Sequence, residues 1–401
     1  MSLIVQKFGG SSVATTERIF NVASIITDTF KKGDDVVVVL SAQGDTTDEM
    51  IEKAAAINPN PSKREMDMLL ANGEQMSISL MAMAIESLGF PVISLTGWQV
   101  GMQTDSNYGS ARIKKIRPTR VETELAKRKI ILVAGFQGIN KYDDITTLGR
   151  GGSDTTAVAL AVALKADLCQ IYTDVDGVYT ADPRVVKNAK KLDEITYDEM
   201  LELASLGAQV LHNRAVEMAK RYNVDLEVIS SFTRNPGTKI KEAPSMEKMD
   251  VSGVAKDKNI ARVSLVDLDD VPGIAFKIFS TLAAKKINVD IILQSIGRDN
   301  TKDVSFTIAS DNLSAALDTL NANKDKIGFK NISVNDKVCK LSIVGSGMVN
   351  NPGVASMMFE ALANENVNIQ MISTSELKVS VLIDEKDVDR ALIAVHDKFF
   401  G

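Results

Sequence analysis

Leu3-Ile4-Val5-Gln6-Lys7-Phe8-Gly9-Gly10-Ser11-Ser12-Val13 is a short apolar run that closes on a lysine, two glycines and two hydroxyls. A periodic segment over residues 17–30 follows, so the spacing predicts a strand, a tight glycine turn and a helix. Such a turn can cradle a phosphate. Glycine at 9 and 10 lets backbone N–H groups approach an anion with no Cβ in the way, a helix start adds partial positive charge, and Lys7 supplies a full one. The spacing is neither Gly-x-x-x-x-Gly-Lys nor Gly-x-Gly-x-x-Gly. Alone, the same residues also make an ordinary turn leaving a buried strand, and the rest of the chain decides between the two.

The same pattern recurs downstream. Residues 34–40 hold four consecutive valines between Gly33 and Ser41-Ala42-Gln43-Gly44-Asp45, as in a strand buried on both faces that ends in a small polar loop. Helices are expected over 46–57 and 64–88, the second carrying Gly73-Glu74, and strands over 92–95 and 130–134. Alternation of strands and helices predicts an α/β fold with a mainly parallel sheet between helix layers, and ligands beyond the carboxyl ends of its strands. Two more polar clusters occupy such ends. Gly149-Arg150-Gly151-Gly152-Ser153-Asp154 is a second glycine turn opening an alanine-rich helix, although Asp154 also reads as a plain helix cap beside a solvated Arg150. Thr173-Asp174-Val175-Asp176-Gly177-Val178-Tyr179-Thr180-Ala181-Asp182-Pro183-Arg184 follows another strand, and its Asp-Gly and Asp-Pro pairs also make turns.

Composition narrows the function classes. The 401 residues, 45% hydrophobic and 24% charged, suffice for two or three domains. A net charge of -6 and a pI near 5.3 argue against a nucleic-acid footprint. Cys169 and Cys339 are isolated, with neither a disulfide framework nor a metal pattern, and both read as core residues of a reducing compartment. The longest apolar run, 157–164, is too short to span a bilayer, and no signal peptide precedes the first strand, so a cytoplasmic protein without membrane partners is expected. With only His212 and His396, neither a histidine base nor a metal site is expected.

From about residue 246 the texture changes. Residues 239–250 are polar, carry Pro244 and read as a linker. Beyond them Pro272-Gly273-Ile274-Ala275, Leu282-Ala283 and Asn288-Val289 line up with Pro352-Gly353-Val354-Ala355, Leu362-Ala363 and Asn368-Ile369 at a constant offset of 80. Each copy reads as a small α+β unit whose helix starts at Pro-Gly, and two such copies should pack on each other or on another subunit.

Lys7-Phe8-Gly9-Gly10-Ser11-Ser12, Ser41 with Gly44-Asp45-Thr46-Thr47-Asp48, the Gly149 to Thr155 turn, the Thr173 to Arg184 stretch and the tandem repeat together resemble the aspartokinases over nearly the whole chain. The resemblance implies an amino-acid-kinase (carbamate-kinase-like) αβα sandwich over 1–245 and two ferredoxin-like ACT domains over 246–328 and 329–401. The strand near 251–255 is expected with either ACT domain. It implies ATP with Mg²⁺, L-aspartate as acceptor, 4-phospho-L-aspartate as product, and the first step of lysine, threonine and methionine biosynthesis. Lysine and threonine are the expected effectors, and ACT domains the expected homo-oligomer contact.

The residues suit that chemistry. An aspartate side chain has an unperturbed pKa near ~4, so the acceptor is already ionised and needs no general base. The task is to bring an anion up to a polyphosphate, which calls for positive charge and alignment. Lys7 and Asp154 are expected to act in catalysis, Asp154 by holding Lys7 and the metal shell in place rather than as a base. Glu74 suits an ammonium and Arg150 a carboxylate by a bidentate fork, whereas Glu74 read blandly is a solvated helix charge. By resemblance Ser41, Thr47, Gly151, Gly152 and Ser153 complete the aspartate side. Lys7, Phe8, Gly9, Gly10, Ser11, Thr173, Asp174, Tyr179, Asp182, Pro183 and Arg184 form the nucleotide side, and no protein metal ligand is assigned. Asp270, Ala275, Asn288, Gln294, Asn368, Ile369, Thr374 and Ser375 are the implied effector contacts, or else turn and packing residues of a dimerisation unit. One departure from the family is Gly207-Ala208-Gln209-Val210-Leu211-His212, where many members carry lysine in place of Gln209. ATP binding is therefore expected to lean on Lys7 and Arg184. A kinase for glutamate, N-acetylglutamate or a nucleoside monophosphate, and an amino-acid sensor with an inactive kinase domain, are the rival readings.

Overall fold

The computed structural model describes all residues except 1, 207–209, 243–250, 296–300, 350 and 352. They divide into two compact units, Met1–Tyr179 with Lys191–Ser205 and Gln209–Glu247, and Thr180–Lys190 with Leu206–Ala208 and Lys248–Gly401. No helix among the described residues is long and apolar enough to cross a membrane.

The first unit runs β1 (Leu3–Phe8), α1 (Thr16–Lys31), β2 (Asp35–Leu40), α2 (Thr46–Ile57), α3 (Lys63–Leu70), α4 (Asn72–Ser87), β3 (Val92–Leu95), β4 (Met102–Thr104), β5 (Ile113–Ile116), α5 (Thr119–Leu125) and β6 (Ile130–Ala134). It continues through β7 (Gln137–Ile139), β8 (Ile145–Thr147), α6 (Gly152–Leu164), β9 (Leu168–Thr173), β10 (Glu194–Thr196), α7 (Tyr197–Ser205), α8 (Asn213–Tyr222), β11 (Leu226–Ser230) and β12 (Thr238–Lys241). An eight-stranded sheet has the order β10-β12-β11-β9-β1-β2-β6-β3, while β5-β4-β7-β8 form a smaller one. Strands β11, β9, β1, β2, β6 and β3 are parallel neighbours, so the polar loops after β9, β1, β2 and β6 emerge along one edge.

The four valines of β2 explain the layering. Val36 and Val38 pack into a core with Ile26 of α1 and Met81 of α4. Val37 and Val39, equally buried, alternate to the other face, where α6 packs. Helix α1 is capped by Thr15, whose side chain accepts from Arg18 N, and carries Glu17 and Lys31 where the helix dipole favours them.

Two expected boundaries are corrected. The helix expected over 64–88 breaks at Ala71, because the Asn72 side chain donates to the Met68 and Leu69 carbonyls at 2.8 and 3.0 Å and ends α3. The linker expected from 239 begins too early: Thr238 and Ile240 are buried, and their strand pairs with β10 and β11. The remainder, 243–250, lies outside the described residues.

The second unit contains β13 (Gly253–Asp257), β14 (Ala261–Asp269), α9 (Ile274–Ala283), β15 (Ile292–Gln294), β16 (Thr301–Ile308), α10 (Leu313–Ala322), α11 (Lys324–Ile327) and β17 (Asn331–Asn335). It ends with β18 (Val338–Val344), α12 (Val354–Asn364), β19 (Met371–Thr374), β20 (Lys378–Asp384) and α13 (Val388–Phe400). Two four-stranded sheets result, β15-β16-β14-β17 and β13-β18-β20-β19. Strand β13 thus pairs with β18 of the second repeat, antiparallel, rather than with its sequence neighbour β14. Ile260, Ile291, Val338, Met371 and Leu382 form a small core drawn from both repeats, the mutual packing expected of units that cannot cover their own sheets.

Candidate active site

Lys7 lies near the end of β1, with Nζ 2.7 Å from Asp154 Oδ1 and both side chains only 12% and 11% exposed. Asp154 stands in the first turn of α6, and its Oδ2 accepts from His212 N at 3.4 Å. Beyond Lys7, the Phe8 ring stacks on Tyr172 at 4.4 Å, and Gly9 N donates to the Tyr172 carbonyl at 3.3 Å. Ser11 is exposed and its carbonyl accepts from Arg18 Nη1 at 2.7 Å. A Cβ on Gly10 would lie 2.5 Å from the Ala42 carbonyl oxygen, so only glycine lets the two loops meet there. Gly10 O also accepts from Gly44 N at 3.1 Å.

The start of α4 brings Glu74 into the same packing, against the loop after β2. Gly73 meets Ala42 so closely that a Cβ would sit 2.7 Å from the alanine methyl. Glu74 is 4% exposed, and its Oε1 accepts from Ala42 N at 3.2 Å. Its Oε2 is sealed with no hydrogen-bond partner among the described residues. Burial pushes this carboxyl up to about 7, against the lowering pull of backbone donors at Glu74 and Ala42. The bland reading of Glu74 as a solvated helix charge is therefore wrong. Half-buried Ser41, whose N donates to Phe8 O at 3.2 Å, and half-buried Thr47 in the first turn of α2 lie on this loop and helix start.

Arg150 stands exposed between Gly149 and Gly151, both in the left-handed region at φ +79° and +68°. Among the described residues its guanidinium makes no ion pair. Gly152 and Ser153 are buried at the start of α6, where a Cβ on Gly135 would lie 2.6 Å from Ser153 Oγ. The ends of β1, β2, β6 and the α6 turn are thereby knitted into one cluster holding Lys7, Gly9, Gly10, Glu74, Ser153 and Asp154.

At the end of β9, Thr173 Oγ1 donates to Asp174 Oδ1 at 3.0 Å, and Tyr179 Oη donates to Asp176 Oδ1 at 2.7 Å, which raises the tyrosine pKa. Asp182, Pro183 and Arg184 do not join this unit: their segment, Thr180–Lys190, belongs to the second one. There Arg184 grips Asp182 through Nε and Nη2, each at 2.9 Å, which holds the Asp182 carboxyl below its usual range. Gln209 lies outside the described residues.

In the second unit Gly273 and Gly353 cap α9 and α12 at φ +93° and +111°, while Pro352 lies outside the described residues. Asp270 pairs with Lys302 at 2.9 Å, and Ala275 sits in the first turn of α9. Asn288, Gln294, Asn368 and Thr374 are exposed and Ile369 half-buried. Ser375 Oγ accepts from Lys378 N at 3.2 Å, closing the β19–β20 turn.

Reading the sequence missed Asp67, His212 and Arg214. Asp67 is buried and accepts from Gly109 N, Thr147 N and Thr147 Oγ1 at 2.7 to 3.0 Å, fixing β8 just ahead of the arginine loop. A lone acid in a helical pattern carries no signal of that. Among the described residues no three His, Cys, Asp or Glu side chains gather as a metal site.

The amino acid kinase family profile matches residues 2–230, and the ACT domain profile matches 263–323 and 341–399. An aspartokinase of Bacillus sp. (strain MGA3) is 52% identical over 400 residues, covering 100% of this chain and 97% of the relative. E. coli aspartokinase III, solved with aspartate and ADP in the R-state, superposes at a TM-score of 0.84 with 26% identity over 100% of both chains. The same enzyme solved with lysine and aspartate in the T-state gives 0.76 at 27% identity, again over 100% of both chains.

Proposed function

The chain belongs to the aspartokinases of the amino acid kinase family, and from that membership we propose the roles its residues play in moving the γ-phosphoryl group of MgATP to the side chain of L-aspartate. One oxygen of the aspartate β-carboxylate bonds to the γ-phosphorus, the β,γ-bridging P–O bond breaks, and ADP leaves with the electron pair. No proton moves, because the acceptor is ionised far below neutral pH at an unperturbed pKa of about 4. Catalysis is alignment plus charge neutralisation. Lys7, held in place by Asp154, meets the charge developing on the transferred group, and the Gly9-Gly10 turn holds the phosphates through the Gly10 amide, the Gly9 N–H being given to the Tyr172 carbonyl. Mg²⁺ would come with the nucleotide and neutralise part of its phosphate charge, with no side chain of this protein assigned to hold it.

One observation carries the reading: Glu74, in the first turn of α4, is buried with an unpartnered Oε2 and bonds Ala42 of the loop that packs against Gly10. An acceptor ammonium supplies the missing partner, while Arg150 takes the α-carboxylate and Ser41, Thr47 and Gly151 to Ser153 frame the rest. Thr173, Asp174 and Tyr179 line the nucleotide. The E. coli structure holding aspartate and ADP supports the substrate pair.

The second unit confers regulation. We assign catalysis to 1–245 and the ACT domains to 246–328 and 329–401, with lysine, alone or with threonine, binding at the helix starts near Gly273 and Gly353 and feeding back on the first step of their own synthesis. The lysine complex of the E. coli enzyme supports this. Exposed Val271, Phe276, Ile292 and Leu293 support a homo-oligomer contact through the first repeat. The test is ADP release with aspartate set against glutamate and N-acetylglutamate, with and without lysine and threonine. Turnover of glutamate in preference to aspartate would overturn the substrate assignment, and indifference to both effectors across millimolar concentrations would overturn the regulatory one.

A further inference from the structure

The segment His212-Asn213-Arg214, which opens α8, grips the arginine loop at three points. Arg214 donates from Nη1 to the Leu148 carbonyl at 2.6 Å and from Nη2 to the Ala111 carbonyl at 3.1 Å. Two residues earlier, His212 N donates to Asp154 Oδ2 at 3.4 Å. The His212 ring fills the space over Gly151, where a Cβ would lie 2.2 Å from it, and its Nδ1 accepts from Arg214 N at 3.3 Å. One helical turn thus holds Leu148, Gly151 and Asp154, on both sides of Arg150.

Arg150 needs such a grip. It is flanked by two glycines at positive φ, and glycine loses more conformational freedom on ordering than any other residue. Arg214 is half-buried and forms no ion pair among the described residues; Asp105 and Glu217 attract it and Arg112 repels it only at longer range. Its planar fork is spent on two carbonyls from two different loops, so what it fixes is backbone. A lysine, a point donor on a flexible stem, cannot bridge the same two oxygens in that fixed geometry.

We propose that Arg214 is a positioning residue for the acceptor substrate: it sets the 148–152 loop so that Arg150 meets the α-carboxylate of aspartate. This rests on the assignment of Arg150 made above. The sequence Leu148-Gly149-Arg150-Gly151-Gly152 places the acceptor contact within two residues of the carbonyl that Arg214 holds. Nucleotide contacts come from other loops, so loosening this one should act on aspartate alone.

The test uses the full chain and steady-state ADP release for wild type, R150Q, R214Q, R214K and the double variant R150Q/R214Q, with aspartate and with its α-amide as acceptors. R214Q should raise the aspartate KM about tenfold, the scale of one hydrogen bond to a charged group, with the ATP KM within about twofold of wild type. R214K should behave like R214Q, and if R214Q fails to fold, R214K alone carries the comparison because it keeps the charge. The preference for aspartate over its α-amide should fall in R150Q and R214Q alike. The double variant should be no worse than R150Q, because the two residues act through one contact. Additive losses, or a wild-type aspartate KM in the Arg214 variants beside a raised one in R150Q, would overturn the positioning role and leave Arg150 in place. An unchanged aspartate KM in R150Q would instead overturn the assignment of Arg150, and with it the proposal.

Discussion

Replacing Glu74 by glutamine tests the site at its most strained point. The carboxyl rises from 4.5 to about 7 because burial disfavours its charged form. At 1.36 kcal/mol per unit, that is up to about 3 kcal/mol of folding free energy. The folded pKa lies above the unfolded one, so the stabilisation is fully present below the unfolded value and is lost as pH rises through the folded value. Wild type should therefore lose up to about 3 kcal/mol from this group between pH ~4.5 and pH ~8. Glu74→Gln is isosteric, keeps an acceptor for Ala42 N and does not titrate. It should match wild type near pH ~5 and be the more stable protein at pH ~8. The same variant loses the ammonium's charged partner, so its aspartate KM should rise about 10- to 100-fold with the ATP KM little changed. Substrate-free denaturant unfolding across that pH range, beside a pH profile of kcat/KM for aspartate, gives both readouts. In wild type kcat/KM should fall below neutral pH as Glu74 takes up a proton, and in Glu74→Gln it should be low and flat. If the two proteins lose stability in parallel between pH ~5 and ~8, Glu74 is not the buried titrating group described here.

Three further outcomes are expected. Lys7→Ala should keep the far-ultraviolet circular dichroism of wild type while kcat falls at least ~10²-fold, because charge at the transferred phosphoryl group is lost; near-normal turnover would remove Lys7 from catalysis. Asp270→Ala should raise the lysine or threonine concentration for half-inhibition, with coupling of roughly 1–3 kcal/mol at stake. Its pair with Lys302 is half-exposed on the Asp270 side, so uninhibited activity should stay close to wild type, and an unshifted inhibition curve would exclude it from the effector site. Cys169 and Cys339 are fully buried, and burial pushes both thiols up, Cys339 to about 12, so neither should react with a thiol reagent until the protein unfolds. Prompt titration of either thiol in the native protein would contradict the packing around it.

Much of the catalytic unit was legible because its signals are local. Four valines in a row specify a strand covered on both faces, and a glycine-rich stretch after an apolar run marks a turn at a strand end, whatever lies elsewhere in the chain. The 80-residue offset of the repeat likewise announced two similar α+β units. The sequence also contained the break between α3 and α4, in Asn72, but helical periodicity on both sides hid it, since a side chain that caps a helix looks like any polar residue on its surface.

What only the tertiary structure decided concerns partners far apart in sequence. Glu74 has the same local neighbours whether solvated or buried; its burial follows from Ala42 arriving across Gly10 and Gly73, with no Cβ in the way. Gln6 sits in what reads as an apolar strand, yet it is wholly buried and bonds Thr29 and Gln170 at 3.0 Å each, because adjacent parallel strands put like polar residues at one level. Strand β13 chose β18 over its neighbour in sequence, and Arg214 found carbonyls 66 and 103 residues away. Periodicity and composition report the environment a residue prefers, whereas burial and hydrogen-bond pairing depend on which distant segment fills the space beside it, and that is set only when the chain closes on itself.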